Sequence, residues 1–331
     1  MLITIGSFDG FHKGHAELFR LCSEHSCNWG VISFWPHPAE YMGRLSHTLF
    51  TLKERELLRR VLGIPNMYIV EFSEALKTLT PSEFWRLIRE RFSVDGLVMG
   101  RDFHFGLNRE GNAESLSRLA QHDGLSTVIV ADLLDKPTYS SSHIRQMLKA
   151  GNVDGASEAL GYPCFMIGRV LHGCQRGRTM HFPTANIDIT GRIIPADGVY
   201  SSAVLVNGEW HCGAVSVGKN PTFHNIHEVR MEAYILDFEG DIYGEEVAVF
   251  FLGRVRDMQA FADREALMTQ ITRDTQTCRT IYASAMNVPE TRRFLERVRA
   301  LHSTQTLTPE IISTSEDLSK IKFKKIDIPK T

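Results

Sequence analysis

Short apolar runs alternate with amphipathic stretches from Leu2 to Ala131. The apolar runs predict strands at Leu2–Ile5, Val31–Trp35, Met67–Phe72, Leu97–Met99 and Thr127–Ala131. The stretches between them predict helices at His15–Ser23, Leu52–Leu62, Pro81–Phe92 and Ala113–His122. The third of these has a clear start, because Thr80 can cap it, Pro81 fits the first helical position and Glu83 can reach back. Such alternation predicts a parallel sheet with helices on both faces.

The pattern changes in the second half of the chain. Arg145–Leu160 predicts short helices broken at Gly151 and Gly155, and strands dominate from Phe165 to Leu252. Asn207-Gly208 is a two-residue hairpin signal between the predicted strands Ser201–Val206 and Trp210–Val217. A second pair, Val229–Phe238 and Glu246–Leu252, flanks a turn rich in Gly and Asp, so we predict a compact antiparallel barrel. Helices follow at Ala260–Thr272 and Glu290–Leu301.

These patterns predict a Rossmann-like α/β domain followed by an antiparallel β-barrel with C-terminal helices. We place the α/β domain at residues 1–160 and the barrel at 161–285, with a C-terminal helix and polar tail, of no predicted role, at 286–331. The length of 331 residues fits two domains, at roughly 150 residues each.

Composition narrows the classes of protein. A net charge of -2 gives no overall basic field, so nucleic acid is not an expected partner. The six cysteines form no C-x-x-C pair, and we interpret them as free thiols rather than zinc ligands or disulfides. There is no signal-peptide pattern and no apolar run near the roughly 20 residues that span a bilayer. We therefore expect a cytoplasmic enzyme without a membrane partner.

The first candidate site follows the first predicted strand, at Gly6-Ser7-Phe8-Asp9-Gly10-Phe11-His12-Lys13-Gly14-His15. In parallel sheets ligands lie beyond the carboxyl ends of strands, and a helix N-terminus there binds phosphate. Gly10 and Gly14 permit a close approach of the backbone, while His12 and His15 can project to one side. Two imidazoles and a lysine could stabilise a leaving pyrophosphate. A P-loop is excluded, since G-x-x-x-x-G-K-[ST] is absent.

The second candidate site is Ser140-Ser141-Ser142 with Arg145, at another predicted helix start. Hydroxyls, backbone N–H groups and a guanidinium can clamp phosphate, although serines at a helix start can also serve only as N-caps.

Together the two motifs resemble the nucleotidyltransferase superfamily. Two further segments, 33–38 (SFWPHP) and 100–106 (GRDFHFG), resemble signatures of the bacterial bifunctional riboflavin kinase/FMN adenylyltransferase family. The resemblance implies that Gly6, Phe8, Gly10, Gly14 and Ser140–Ser142 bind ATP phosphates and that His12, His15 and Arg145 act in catalysis. It also implies a flavin site made by Pro36, His37, Asp102, Phe103 and Phe105, the last two of which could equally be core residues.

The third candidate site lies in the second domain, in segment 173–186 (GCQRGRTMHFPTAN). Thr184 and Asn186 are two apart in extended chain, point the same way and offer oxygen ligands suited to Mg²⁺. The segment resembles the riboflavin kinase motif, and three similar signatures follow at 195–200, 217–223 and 241–244. The resemblance spans residues 1–282. It implies that Gly173 and Gly177 bind phosphate, that Thr184 and Asn186 bind metal, and that Glu232 is the catalytic carboxylate.

The resemblance implies two sequential reactions, phosphorylation of riboflavin to FMN and adenylylation of FMN to FAD, with ATP and Mg²⁺. One residue departs from the family pattern, because His181 stands where the family has Gly. This leaves open an FMN adenylyltransferase with an impaired kinase domain. The other alternative, a flavin-binding regulatory protein without catalysis, is opposed by the intact His12, His15, Thr184, Asn186 and Glu232. The sequence does not define the oligomeric state.

Overall fold

The computed structural model describes residues 1–131, 139–172, 182–218, 230–302 and 311–312. The chain divides into two compact units, Met1–Pro137 with Thr306–Thr331, and Thr138–Gln305. The division falls before the predicted boundary at residue 160. No helix among the described residues is both long and apolar enough to cross a lipid bilayer.

A six-stranded parallel sheet forms the centre of the first unit, in the order β14-β3-β2-β1-β4-β7. Its strands are β1 (Leu2–Ile5), β2 (Trp29–Trp35), β3 (Met67–Glu71), β4 (Gly96–Gly100), β7 (Thr127–Ala131) and β14 (Ile311–Ile312). A small hairpin adds β5 (His104–Phe105) and β6 (Gly111–Asn112). The five predicted strands are thus confirmed, with bounds that differ by at most two residues. The sixth was not predicted, since β14 is only two residues long and extends the sheet beside β3.

Among its described residues, the first unit contains the four predicted helices and two four-residue helices that were not predicted. They are α1 (Lys13–His25), α2 (Pro38–Tyr41), α3 (Leu52–Val61), α4 (Glu74–Lys77), α5 (Pro81–Arg91) and α6 (Ala113–His122). The predicted start of α5 is confirmed, because Thr80 and Glu83 form a capping box with Pro81 in the first turn. Apolar side chains of β1, β2, β4, α5 and α6 share one buried core, which includes Ile3, Phe34, Trp85, Ile88 and Leu97.

A closed barrel forms the second unit, in the order β10-β11-β12-β9-β8-β13. Its strands are β8 (Phe165–Leu171), β9 (Thr184–Ile187), β10 (Gly198–Val206), β11 (Glu209–Gly218), β12 (Arg230–Ile235) and β13 (Glu246–Arg256). The Asn207-Gly208 hairpin is confirmed, with Asn207 and Gly208 both at positive φ and Val206 paired to Glu209. All described pairs of neighbouring strands in the barrel are antiparallel.

Four helices accompany the barrel among the described residues, α7 (Ser141–Lys149), α8 (Val153–Leu160), α9 (Arg264–Asn287) and α10 (Pro289–His302). The predicted break at Gly151 is confirmed, since Gly151 has φ +75° between α7 and α8. The predicted break at Gly155 is wrong. Gly155 lies in the first turn of α8, where its amide donates to the capping side chain of Asn152.

Candidate active sites

Three loops that carry predicted site residues leave the sheet at one edge. They follow β1, β2 and β4, which are neighbours in the sheet and run parallel. The carboxyl ends of parallel strands meet at the same edge, which is where such sheets bind ligands. The loop from Gly6 to His12, the Pro36–His37 segment and the loop at 101–105 are therefore brought to a common edge of the first unit.

Two histidine rings stack at the start of α1. His12 is the N-cap residue of α1 and is 6% exposed, while His15 lies in its first turn. Their ring centroids are 3.6 Å apart with 21° between the planes. His15 Nδ1 lies 2.7 Å from the carbonyl oxygen of Gly10, and no described residue hydrogen-bonds to Nδ1 of His12. The prediction that the two rings project to one side is confirmed.

Desolvation favours the neutral form of both imidazoles. Desolvation lowers the pKa of His12 to about 4, although the carboxylate of Asp9 partly opposes this shift. Desolvation is also the main cause that holds the pKa of His15 well below its ordinary value, and His12 and Arg55 lower it further. The start of α1 has no side-chain cap and no acidic residue in its first turn. A helix N-terminus of this kind favours an anion.

Three side chains that the sequence analysis did not single out support this loop from behind. Arg55 of α3, Asp9 of the loop and Ser33 of β2 are buried, and each contacts another member of the group or the backbone of Ser7. Asp9 also accepts from the backbone N–H of Leu49. Asp9 and Ser33 stand inside the segments 6–15 and 33–38, and a buried carboxylate needs a partner. Which cation would pair with Asp9 was not visible in the sequence.

The predicted flavin residues divide by burial. His37 caps α2 through its Nδ1, 3.1 Å from the backbone N of Ala39, and both Pro36 and His37 are partly exposed. Asp102 is exposed. Phe105 is only 7% exposed and belongs to the core, whereas Phe103 packs against it with ring centroids 5.4 Å apart and stays partly exposed. Phe103, rather than Phe105, presents an accessible ring at the loop.

Ser140, Ser141, Ser142 and Arg145 lie at the start of α7. Ser140 is the N-cap, and its side chain accepts from the backbone N of His143 at 3.2 Å. Arg145 is 9% exposed. These residues belong to the second unit, after a segment that lies outside the described residues. The N-cap role of Ser140 leaves the hydroxyls of Ser141 and Ser142 for other partners.

The second site lies on three adjacent strands of the barrel. Glu232 of β12 pairs with Asn186 of β9 on one side and with Ser216 of β11 on the other. Residues that pair directly across strands point to the same face, so the three polar side chains form a row. Thr184 Oγ1 lies 3.4 Å from Glu232 Oε2. All four residues are partly exposed, whereas the alternate residues Ala185, Met231 and Ala233 are buried.

Ser216 was missed in the sequence, although a polar residue between Val215 and Val217 is the pattern of a strand with one accessible face. Gly173, Gly177 and His181 lie outside the described residues. No three His, Cys, Asp or Glu side chains in the described part of the chain cluster to hold a metal ion. The oxygens of Thr184 and Asn186 do fit Mg²⁺, which takes few protein ligands and completes its shell with substrate phosphates and water.

Comparisons with known proteins identify the class of enzyme, a two-domain transferase that uses nucleotides. A family model described as FAD synthetase matches residues 1–143, and one described as riboflavin kinase matches residues 160–282. A bifunctional riboflavin kinase/FMN adenylyltransferase of Listeria monocytogenes is 32% identical over 290 residues, which cover 85% of this chain and 92% of the relative. The namesake of Pseudomonas fluorescens is 33% identical over 292 residues, with the same coverage. The chain belongs to the bifunctional riboflavin kinase/FMN adenylyltransferase family.

A solved structure supports the fold. It covers 84% of this chain and 93% of its own length with a TM-score of 0.76 and 33% identity, and it is described as a macrolide-efflux protein from Streptococcus pneumoniae. The two family models and the curated relatives are instead all described as enzymes of flavin nucleotide synthesis. The likeness to this structure therefore shows the fold alone.

Proposed function

We propose that the barrel domain phosphorylates riboflavin with ATP to give FMN and that the N-terminal domain then adenylylates FMN to give FAD and pyrophosphate. The observation that carries this proposal is that one chain holds both domain matches, at residues 160–282 and 1–143, with a separate cluster of reactive side chains in each. The two clusters consist of different residue types. This fits two reactions at different phosphorus atoms of ATP, the γ-phosphorus in the kinase step and the α-phosphorus in the adenylyl step.

Glu232 is the general base of the kinase step. Its carboxylate takes the proton of the riboflavin 5′-hydroxyl while that oxygen attacks the γ-phosphorus of ATP, and ADP leaves. The hydroxyl of Thr184 can donate to Oε2 at 3.4 Å and so orient the carboxylate. Thr184 and Asn186 would hold Mg²⁺, which when bound neutralises charge on the phosphates. Gly173 and Gly177 are proposed to bind phosphate.

The adenylyl step needs no strong base, because the phosphate of FMN is already ionised at pH 7. One of its oxygens attacks the α-phosphorus of ATP, and the bond to pyrophosphate breaks. His12 and His15, with Ser141 and Arg145, stabilise the charge on the leaving group. We assign phosphate contacts to Gly6, Phe8, Gly10, Gly14, Ser140 and Ser142, and the flavin site to Pro36, His37, Asp102, Phe103 and Phe105.

A reciprocal pair of variants tests the two-site proposal. His15→Ala removes one charge-stabilising donor, so FAD formation from supplied FMN should fall about 10²–10³-fold while FMN formation from riboflavin barely changes. Glu232→Gln keeps the shape but removes the base, so FMN formation should fall about 10²–10⁴-fold while FAD formation from FMN persists. Chromatography of products formed with ATP and Mg²⁺ measures both.

Equal losses of both reactions in either variant would contradict separate sites. Wild-type protein that makes FAD from FMN but no FMN from riboflavin would instead support the adenylyltransferase with an impaired kinase domain. Formation of neither product would support the flavin-binding regulatory protein without catalysis.

We place the enzyme in the cytoplasm. The five cysteines in the described part of the chain are all free thiols, which fits a reducing compartment. Fractionation of cells that produce the protein would test this location, and recovery of the activity with extracellular or membrane fractions would contradict it.

A further inference from the structure

Arg55 is a fully buried cation that grips the loop between β1 and α1. Its side chain is 0% exposed and that of Asp9 is 1% exposed, with Nη2 of the arginine 3.1 Å from Oδ1 of the aspartate. Nη1 lies 3.2 Å from the carbonyl oxygen of Ser7 and 3.4 Å from the hydroxyl of Ser33. That hydroxyl also donates to the same carbonyl at 2.8 Å. One guanidinium thus holds the loop at two points, residues 7 and 9.

Phe8 stands between these two points in a conformation that side chains rarely adopt. Its φ is +41°, in the left-handed region. A bulky residue at positive φ is an outlier and persists only where the surrounding structure holds it in place. Here the residue before Phe8 and the residue after it are both bound by Arg55, so the guanidinium supplies that restraint.

The conformation of Phe8 decides where the histidine pair lies. Its ring meets the ring of His15 edge-on, with centroids 4.8 Å apart, and His15 stacks in turn on His12. The Phe8 ring also packs closely on Gly6, where a Cβ would come within 3.1 Å of it. A continuous series of contacts therefore runs from Arg55 through the loop backbone and Phe8 to both imidazoles.

We propose that Arg55 is a positioning residue for adenylyl transfer, which holds Ser7 and Asp9 so that Phe8 seats His15 against the reacting phosphates. This inference rests on the proposed role of His15. Arg55 does not itself reach the substrate in this scheme, because it lies behind the loop with no exposed surface. Its geometry, more than its charge, does the positioning.

Arg55→Lys is the variant that separates geometry from charge. Lysine keeps the positive charge beside Asp9 but lacks the planar fork that reaches Asp9, Ser7 and Ser33 together. We expect kcat for FAD formation from FMN to fall about 10²-fold, since a small misplacement of a catalytic group has that effect. FMN formation from riboflavin, in the other domain, should stay unchanged. The ring signals of His15 in an NMR spectrum should shift as its contact with Phe8 loosens.

Arg59→Lys is the matched control. Arg59 lies one turn further along α3, pairs with the buried carboxylate of Glu56 at 2.7 Å and donates to the carbonyl oxygens of Ile64 and Pro65. It makes the same kinds of contact as Arg55, but among the described residues its hydrogen bonds reach Glu56, Ile64 and Pro65 and not the loop at 6–12. We expect this variant to lose comparable thermal stability while it keeps FAD formation and the His15 signals.

The outcomes separate the inference from the function it rests on. A folded Arg55→Lys protein with wild-type FAD formation overturns the positioning role, provided that His15→Ala has lost activity. Wild-type activity in His15→Ala overturns the proposed function itself. If Arg55→Lys does not fold, Ser33→Ala carries the test, because it removes the hydroxyl that donates to Ser7. If Ser33→Ala loses FAD formation but keeps FMN formation, the inference is supported. If Ser33→Ala keeps FAD formation, the inference is overturned.

Discussion

His15 can donate only one of its ring protons to a phosphate, and only in one protonation state. Its Nδ1 lies 2.7 Å from the carbonyl oxygen of Gly10, and since a carbonyl only accepts, Nδ1 carries a proton. In the neutral ring Nε2 then has a lone pair and cannot donate to an anion. The burial that lowers the pKa of His15 makes the neutral ring the resting form. Nucleotide phosphates would reverse that preference, because a nearby anion favours the charged form.

ATP binding should therefore take up a proton at His15. The complex binds more protons than the free enzyme, so the affinity for ATP should rise as the pH falls from about 8 to 6. Calorimetry of ATP binding at pH 7 in two buffers of different ionisation enthalpy measures the uptake. His15→Gln removes the group, and we expect it to lower the uptake by up to about one proton.

The exposed His25 on the same helix offers a matched control. His25→Gln should take up as many protons on ATP binding as the wild type. The difference in proton uptake between two variants also excludes the protons that the nucleotide itself gains, because these are the same in both. Equal uptake in wild type and His15→Gln would show that His15 stays neutral in the complex.

At the scale of elements, the sequence predicted the sheet and barrel well because both depend on local patterns. The bounds of β1, β7 and α6 match the prediction, and the spacing of His12 and His15 placed both on one helix start. Predicting α9 to stop at Thr272 was wrong, because the helix continues to Asn287. Its later turns bury Asp274, paired with Arg256, so the apolar periodicity fades there.

The contact of Arg55 with Asp9 could not be predicted from a local pattern. It joins residues 46 apart in the sequence and depends on tertiary packing.

The C-terminal helix α10 lies beyond the riboflavin kinase match yet packs as part of the barrel unit. Phe294 stacks on Tyr162 with ring centroids 5.0 Å apart, and Leu295 and Val298 are each 1% exposed. Leu295→Ala should lower the free energy of unfolding by about 2–5 kcal/mol. The neighbouring Glu296 has a side chain that is 65% exposed, so Glu296→Ala should change stability by less than about 0.5 kcal/mol.

Thermal unfolding of both variants, followed by circular dichroism, measures the difference. Equal midpoints would mean that α10 is an appendage and not part of the folded barrel unit.

At the scale of the whole molecule, the FAD synthetase match includes residues 138–143 and neither match covers 144–159, whereas the second compact unit includes both segments. The matches end at 143 and resume at 160, whereas the second unit begins at Thr138. The backbone N–H of Ala196 donates to the carbonyl oxygen of Leu148 at the end of α7. At Gly151 a Cβ would lie 2.8 Å from the guanidinium carbon of Arg254 on β13, so the turn between α7 and α8 packs closely on the barrel. These contacts place α7 and α8 with the barrel.

Two fragments test which boundary describes a domain that folds alone. Fragment 161–305 lacks α8, whose Val153 and Leu160 are 0% and 2% exposed and which packs against β13. Burial of these and neighbouring apolar side chains contributes about 5 kcal/mol, so fragment 161–305 should melt about 10–20 °C below fragment 138–305. Kinase activity should follow the same order at 37 °C. The opposite result would be that fragment 161–305 is as stable and active as fragment 138–305 and that fragment 1–160 makes FAD from FMN. In that case α7 and α8 fold without the barrel, and the boundary predicted at residue 160 is correct.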